Sequence, residues 1–492
     1  MHSYESFSAC LKRCLAEAGL SATEAAKLVG FRSRNSIFRI LAGETRDDVN
    51  LRFLSALHDA LGDAWPKERW LSLQEALSVE RLGAERYEAN RAFERLLHER
   101  EEPLKATVQQ IVEAGGGGVR DLTWALDAAA RAARAEIVIT GCCDSALSLL
   151  LAERCCAAGD QGRLRIRQYI DTSESTLTQH ILGILPLVSK PWYNARLVQP
   201  DACQQEMLAL YRMHALHICC WDEQGNRSGG MLIRFDKTHF ATQWRVDGAE
   251  AFMQVLDRLR FDLELLKPMP NLAGGPESFI QYTERYAQLE DNCTILSIKP
   301  DVHFNCIPPQ VLYPAIAEGF ERAGIAGGEA LQGLIDELWR IQQNRFVNTT
   351  TKHRPTHLVY SLQAMERFMR TGVLTDQFFL QRAYTVQERR EIIRVLLEAM
   401  RSQPWFNVHF LKRGAAELRY EISFYEDKGV LLMDAYTGYD LAFDHSEALI
   451  TLPAFMGSFR SYFQDELLAH HVMSRAETLW EMERLLVMKV DE

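Results

Sequence analysis

Residues 21–46 constrain the fold most, because their polar and apolar side chains fall at the spacing of two short helices joined by a tight turn. Ser21 and Glu24 form a capping-box pattern, in which each side chain accepts a hydrogen bond from a backbone N–H at a helix start. The first helix is therefore predicted to begin at Ser21 and to end at Gly30, whose backbone suits a helix end. The buried face predicted for this helix consists of Ala25, Leu28 and Val29.

The second helix is predicted to begin after the turn formed by residues 31–33, with Ser33 as its N-cap. Its predicted core-facing residues are Ile37, Ile40 and Leu41. The residues on its other faces are Arg34, Asn35, Phe38 and Arg39. Residues 30–46 contain four Arg and one Glu, so the exposed side of this helix pair is predicted to be cationic.

Residues 25–30 and 37–43, followed by an apolar helix predicted over 51–61, resemble the Cro/repressor (XRE-like) type of helix-turn-helix domain. The resemblance covers residues 1–62, although the turn is one residue longer than is usual in that family. It implies an N-terminal all-α domain that binds double-stranded DNA by placing the second short helix in a groove.

The residue chemistry of this segment also suits a duplex. Arg34 and Asn35 would occupy the first turn of the second helix, where an Arg can pair with guanine and an Asn with adenine. Cations around that turn would contact phosphates. The predicted DNA-binding residues are Lys27, Arg32, Ser33, Arg34, Asn35, Ser36, Phe38, Arg39 and Arg46. The alternative is a small helical domain that binds protein and carries ordinary solvated charges.

Composition limits what the rest of the chain does. Its 492 residues suffice for about three domains, and the net charge of −11 requires any DNA contact to be local. No apolar run approaches the roughly 18 residues of a membrane span, and the first residues lack the pattern of a signal peptide. An odd number of cysteines with three adjacent pairs is not a secreted disulfide framework. The sequence therefore predicts a cytoplasmic protein without membrane association.

Residues 63–114 are predicted to form a helical connector, with one long charged helix over 66–100. The apolar residues of its stripe are Phe93, Leu96, Leu97, Leu104, Val108 and Ile111. This stripe could pair with its copy in a homodimer, and two copies would fix the spacing of two DNA half-sites. The alternative is that the stripe packs on its own chain.

Four glycines at 115–118 predict a flexible boundary, with a new domain from residue 119. An α/β unit is predicted over 119–268, a mixed helical region over 276–384, and a second α/β unit over 385–492. The predicted strands are 136–140, 163–170, 214–221, 230–235, 239–246, 406–411, 418–425 and 430–435, with closing helices over 249–265 and 447–464. The predicted class is thus multidomain α and α/β, whose C-terminal sensor region has two halves of related order.

This tandem order resembles the phospholipase D-like fold, whose catalytic form implies a His-x-Lys motif in each half. The sequence contains no His-x-Lys, and the nearest arrangements are His214 with His217 and His353 with His357. The second pair has helical metal-ligand spacing, but Pro355 between its members opposes a helix. No phosphate-binding glycine loop or nucleophile motif occurs either. The sequence therefore predicts no catalytic residue, metal ligand or cofactor.

A small-molecule effector site is predicted from aromatic and cationic residues at strand ends and in loops, which suit an anionic or planar ligand. These residues are Arg167, Tyr169, Trp192, Tyr193 and Arg196. The alternative is that the aromatic residues pack in a core. The whole pattern predicts a ligand-responsive transcriptional regulator that is not an enzyme. An enzyme acting on phosphodiesters or nucleotides and a protein-binding scaffold are the alternatives.

Overall fold

The computed structural model describes residues 4–30, 34–98, 116–141, 145–171, 177–188, 190–198, 214–235, 240–244, 266–268, 276–300, 302, 304–322, 329–351, 353–374, 382–412, 418, 420–434 and 447–489. The chain divides into two compact units, Met1–Arg91 and Ala92–Glu492. In the described residues the first unit is helical, and the second contains two mixed sheets with helices. The multidomain α and α/β class is confirmed, and the first compact unit ends at residue 91.

The helices of the first unit are α1 Phe7–Glu17, α2 Ala22–Leu28, α3 Arg34–Ala42, α4 Asp47–Leu61 and α5 Lys67–Leu82, and α6 Ala84–His98 begins in it. The predicted long helix is therefore two helices, because Gly83 adopts a φ of 82° that ends α5. The capping box of α2 is confirmed, since the Glu24 carboxylate accepts from the Ser21 N–H at 2.8 Å. The buried face of α2 is centred on Ala25 and Ala26, so the prediction that Leu28 is buried is wrong.

The first sheet of the second unit has the order β3-β2-β1-β4-β5-β6. Its strands are β1 Arg134–Thr140, β2 Leu164–Asp171, β3 Tyr193–Val198, β4 Ala215–Trp221, β5 Arg227–Phe235 and β6 Phe240–Trp244. Strands β1, β2 and β3 pair in parallel, whereas β4 to β6 continue the sheet by antiparallel pairs from β1. The predicted strands of this half are all present. Its predicted closing helix over 249–265 lies outside the described residues.

The second sheet has the order β10-β9-β8-β11-β12-β13-β7 and repeats this pattern. Its strands are β7 Leu266–Pro268, β8 Ile295–Lys299, β9 Thr356–Tyr360, β10 Phe406–Phe410, β11 Tyr420–Tyr425, β12 Gly429–Asp434 and β13 Glu447–Ile450. Strands β8, β9 and β10 are parallel, and β11 to β13 follow antiparallel from β8. Strand β7 adds a seventh strand beside β13. The predicted relation between two halves is therefore visible in strand order and direction.

Three boundaries differ from prediction. Residues 276–384 and 385–492 are one α/β half and not two regions, because both supply strands to the second sheet. The glycine run is not a flexible boundary within the described residues, since a helix begins at Gly116. The predicted closing helix over 447–464 starts with strand β13, and its helix begins at Pro453.

Two apolar cores hold the second unit together. The first is shared by both sheets, with residues such as Ile137 and Ile298, and by helices α7 Gly116–Arg131, α8 Ser145–Asp160, α9 Leu177–Gly183, α10 Leu185–Val188 and α16 Pro453–Tyr462. The second lies under the other face of the second sheet, covered by α11 Pro276–Glu290, α12 Pro309–Arg322, α13 Glu329–Thr351, α14 Leu362–Thr371, α15 Val386–Ser402 and α17 Arg475–Leu486. A π-helix, Phe463–His471, follows α16.

Phe93 of the predicted dimerisation stripe is fully buried in the first of these cores. Its ring stacks on Tyr462 at 5.2 Å between centroids, so this residue packs on its own chain and does not face a partner. The side chains of Leu96 and Leu97 and residues 101–115 lie outside the description. Among the described helices, none combines the length and apolar character that a membrane crossing requires.

Candidate functional site

Helix α3 is fixed by one face and presents the others to solvent. Ile37 and Ile40 are at most 1% exposed and belong to the core of the first unit. On the other faces, Asn35 and Arg39 are exposed and Phe38 is 54% exposed. The arrangement leaves a polar, cationic and aromatic surface on α3.

The other predicted DNA-binding residues flank this surface in sequence. Lys27 is exposed in the last turn of α2, and Arg46 is exposed at the residue before α4. Arg39 donates to the Glu44 carbonyl at 3.4 Å, and Ser36 is half-buried. Arg34 opens α3, but its side chain, like Arg32 and Ser33, lies outside the described residues. The described cations of this set are therefore on the surface.

The five predicted effector residues do not form one pocket. Arg167, Tyr169 and Arg196 share one face of the first sheet, where the Arg196 guanidinium lies 6.0 Å from the Tyr169 ring centroid. Arg167 is ion-paired with Glu136 on the neighbouring strand. Tyr193 instead donates to Gln168 at 2.7 Å, and Gln168 points to the opposite face because side chains alternate along a strand.

Trp192 and Tyr193 are core residues, as the alternative interpretation of these aromatics held. Both are under 8% exposed and belong to the first core of the second unit. The Trp192 ring covers Gly159, where an added Cβ would lie 2.3 Å from it, and its Nε1 donates to Asp160 at 3.0 Å. The sequence could not show this, because burial of an aromatic after a loop depends on the helix that covers it.

His353 and His357, which Pro355 was expected to keep from sharing a helix, do not lie in one helix. His357 lies in strand β9, and His353 precedes the strand and packs on Trp405. His357 Nδ1 is 3.1 Å from His409 Nε2 on the neighbouring strand β10, with the rings nearly parallel. Burial, the adjacent His357 and Arg475 lower the pKa of His409 to about 3, and burial lowers the pKa of His357.

This pair predicts acid-sensitive stability of the second unit. A folded pKa below the unfolded value near 6.5 means that the unfolded chain binds more protons between pH 6.5 and about 3. The contribution of this histidine pair to the free energy of unfolding is therefore complete above pH 6.5. It decreases as the pH falls through this range, by about 1–2 kcal/mol at pH 5. We expect His409→Gln to remove most of this loss, measured by hydrogen exchange of β9 and β10 amides at pH 7.5 and 5. Equal pH dependence of the variant and wild type would contradict it, and the exposed His470→Gln is the control.

A buried charged network in the second sheet escaped the sequence analysis. The Lys299 ammonium lies 2.5 Å from Glu421 Oε1, and both side chains are at most 4% exposed. Ser423 donates to the same carboxylate at 3.1 Å, and its hydroxyl is 2.6 Å from that of Ser297. All four side chains lie on the face of the second sheet that packs against the second core.

A second buried ion pair lies beside this group. Arg345 on α13 donates two hydrogen bonds to Glu290 on α11, at 2.7 and 2.8 Å. Burial, Glu290 and Glu421 raise the pKa of Tyr425 well above its usual value. Burial and Glu290 likewise raise the pKa of the Cys306 thiol. The sequence signal that could have revealed this network is a single charged residue in each of two mostly apolar strands, Lys299 in β8 and Glu421 in β11. It was missed because carboxylates were assumed to lie on the surface.

The described cysteines are free thiols: Cys10, Cys14, Cys155, Cys156, Cys219, Cys220, Cys293 and Cys306. Burial raises the pKa of Cys10 to about 12 and that of Cys293 to about 11. Since the thiolate is the reactive form, these buried thiols are poorly suited to redox sensing. The pair Cys142-Cys143 and Cys203 lie outside the description.

A cleft of about 220 Å³ opens between α12 and α13. Tyr313 and Trp339 meet edge to face at its wall, with ring centroids 5.3 Å apart, and Gln342 supplies a polar group. Most of this volume is open to solvent, and the enclosed space of about 10 Å³ has room for about one water molecule, far less than a small-molecule site needs.

No family model and no curated protein sequence matches the chain. Among solved structures, the chain is similar to phosphatidylserine synthase from Haemophilus influenzae Rd KW20, with 10% identity and a TM-score of 0.25 over 75% of this chain and 88% of that chain. It is also similar to polyphosphate kinase from Porphyromonas gingivalis, with 12% identity and a TM-score of 0.20 over 86% of this chain and 60% of that chain. Such loose similarity of shape brings no functional residue with it, so neither activity transfers to this chain.

Proposed function

We propose that this protein is a ligand-responsive DNA-binding transcriptional regulator, with an N-terminal helix-turn-helix and a non-catalytic C-terminal sensor. The observation that carries the proposal is helix α3, seated by Ile37 and Ile40 while Phe38 and Arg39 are exposed. A recognition helix needs this division, because one face must be rigidly packed while the other meets base edges.

The exposed residues supply the contacts that a duplex takes. Phe38 can pack against a thymine methyl group, and Asn35 can pair with adenine in the major groove. Lys27, Arg39 and Arg46 can contact phosphates, which position the protein without reading sequence. A local patch of this kind agrees with the acidic net charge of −11, since only a small part of the surface must be cationic.

The regulatory part of the proposal is a population shift. An effector that binds one conformation of the protein more tightly than another shifts the population toward that conformation. The resulting change in DNA affinity is limited by the difference in the effector's binding free energy between the two conformations. Arg167 and Arg196 remain the proposed anion-contacting residues, without the buried Tyr169, Trp192 and Tyr193. Two half-sites would call for a homodimer, and a cytoplasmic location is part of the same proposal.

Arg39→Ala is expected to weaken binding about tenfold, because one good contact to DNA is worth roughly 1–3 kcal/mol. The probe is a pool of 40-base-pair duplexes enriched by wild-type protein from a random library, measured by fluorescence anisotropy at three salt concentrations. A phosphate contact would lower the salt slope by about one, whereas a base contact would relax the enriched sequence.

Arg52→Ala is the matched control, because this Arg on α4 is 81% exposed and pairs with Asp48 at 3.2 Å. We expect the control to bind as the wild type does. Equal affinity of wild type, Arg39→Ala and Phe38→Ala for the enriched pool would overturn the proposal and favour a protein-binding scaffold.

An enzyme acting on phosphodiesters or nucleotides is the second candidate, and the buried network of Lys299, Glu421, Ser423 and Ser297 favours it. Buried clusters of charged and hydroxyl groups occur at active sites, although purely structural ion pairs form them too. Hydrolysis of bis(p-nitrophenyl) phosphate and of ATP, with and without Mg²⁺ or Mn²⁺, tests this candidate. Turnover that Lys299→Met abolishes in a folded protein would support an enzyme, and absence of turnover would leave the regulator.

A further inference from the structure

Three metal-ligating side chains converge in the second unit, outside the surfaces described above. They are Glu94 near the end of α6 and Glu466 and His471 in the π-helix, and one ligand atom from each lies within 4.8 Å of the others. His471 Nε2 is 3.5 Å from Glu466 Oε1 and 3.8 Å from Glu94 Oε1. All three side chains are partly buried.

The π-helix explains why Glu466 and His471 meet. Residues five apart in an α-helix point about 140° away from each other, because a turn takes 3.6 residues. The wider π-helix hydrogen-bonds residues five apart and so places them on one side. Such helices are rare and concentrate at functional sites, and this one spans nine residues, Phe463–His471.

Glu94 is brought to the same place by the packing of its neighbour. Phe93 is buried against Phe455, Phe459 and Tyr462, which precede the π-helix on α16. This anchoring leaves little freedom for the next residue of α6. Two carboxylates are thus held close together, a like-charge arrangement that a cation stabilises.

His471 Nε2 is a buried nitrogen that faces the carboxylates of Glu94 and Glu466. Its nearest carboxylate oxygens, at 3.5 and 3.8 Å, are too far for a strong hydrogen bond. The distances suit a shared cation instead. In tetrahedral zinc sites, with metal–ligand bonds of about 2.0–2.2 Å, ligand atoms stand roughly 3.4 Å apart.

We propose that Glu94, Glu466 and His471 form a divalent-metal site that binds Zn²⁺ through one imidazole nitrogen and two carboxylate oxygens. Three protein ligands leave a fourth position for water or for an oxygen of a ligand, as in open zinc sites. Cysteine-rich sites take the metal through thiolates, whereas this one uses only nitrogen and oxygen donors. The inference holds whether or not the protein binds DNA.

Full-length protein stripped of metal with a chelator is titrated with Zn²⁺ against a chromophoric competitor. We expect one tight site per chain in the wild type and a loss of 10-fold to 100-fold in affinity in His471→Ala and in Glu466→Gln. His470→Ala is the matched control, because this adjacent residue of the same π-helix is exposed and its side chain is not in the cluster. Co²⁺ binding, followed by absorbance, distinguishes nitrogen and oxygen ligands from cysteine thiolates.

The proposal is overturned if wild-type protein binds no Zn²⁺ at micromolar concentration, if the Co²⁺ spectrum shows thiolate ligation, or if His471→Ala and Glu466→Gln bind as tightly as His470→Ala. Circular dichroism checks that each variant is folded. Glu94→Gln, which keeps the size of the side chain, provides a third ligand variant should His471→Ala unfold. The loss of Zn²⁺ affinity by Glu94→Gln would then support the site, and unchanged affinity would oppose it.

Discussion

Lys299→Met is expected to destabilise the second unit by about 3–5 kcal/mol, the usual effect of leaving one member of a buried ion pair uncompensated. The methionine fills most of the space of the lysine stem, so the effect should come from charge. Glu421 would remain in the sheet at 1% exposure without its cation. The hydroxyl of Ser423, at 3.1 Å from this carboxylate, is neutral and cannot replace the ammonium.

Removing both charges should restore much of this loss. Replacement of a buried pair by apolar residues of similar size is often neutral or stabilising by about 1–4 kcal/mol. Lys299→Met/Glu421→Leu is therefore expected to be more stable than either single variant. Hydrogen exchange of the β8 and β11 amides reports the local free energy of opening for all four proteins.

The same four proteins also show whether the ion pair of Lys299 and Glu421 serves the stability of the fold or a function. If the double variant is stable and still binds the enriched duplex pool as wild type does, the pair serves the fold. A double variant no more stable than Lys299→Met would contradict the ion-pair explanation, because the uncompensated charge would not be the cause of the loss.

Phe93→Ala is expected to destabilise the second unit by about 3–5 kcal/mol, as truncation of a buried Phe usually does. The ring is fully buried and contacts the rings of Phe455, Phe459 and Tyr462 at centroid distances of 5.7, 5.4 and 5.2 Å. Its removal leaves a cavity among aromatic rings that cannot easily move together.

The measurement is hydrogen exchange of α16 amides at two protein concentrations tenfold apart. Because Phe93 packs within its own chain, we expect the same loss of protection at both concentrations. A loss that appears only on dilution would instead mean that Phe93 stabilises a dimer. Trp480→Ala is the control, since this aromatic is 58% exposed and its truncation should change stability by less than about 0.5 kcal/mol.

Local patterns predicted the elements well. The capping box at Ser21 and the apolar stripe of Ile37 and Ile40 gave the first helices, because these signals act between residues three or four apart. Alternating apolar residues separated by turns predicted five of the six strands of the first sheet, but neither β3 nor the order of the strands. The same logic detected the second half through β10 to β12 but missed that β8 and β9 join them, since strand pairing across long segments leaves no local mark.

The candidate sites depended still more on tertiary structure. The surface of α3 was predictable, because exposure follows from helical periodicity once the buried face is known. The ion pair of Lys299 and Glu421 was not, since it joins residues 122 positions apart through sheet register. Glu94 and His471 illustrate the same limit, because a π-helix changes which residues share a side.

Strand β7 belongs to the second sheet, although in sequence it directly follows the residues of the first half. It precedes residues 269–275, the natural place to cut the chain between the halves, yet it pairs with β13 at the border of the second sheet. A fragment starting after that cut would expose the backbone of β13 as an unguarded edge, which favours aggregation. A fragment that carries the second half must therefore begin before Leu266, and the two halves are not interchangeable modules despite their similar strand order.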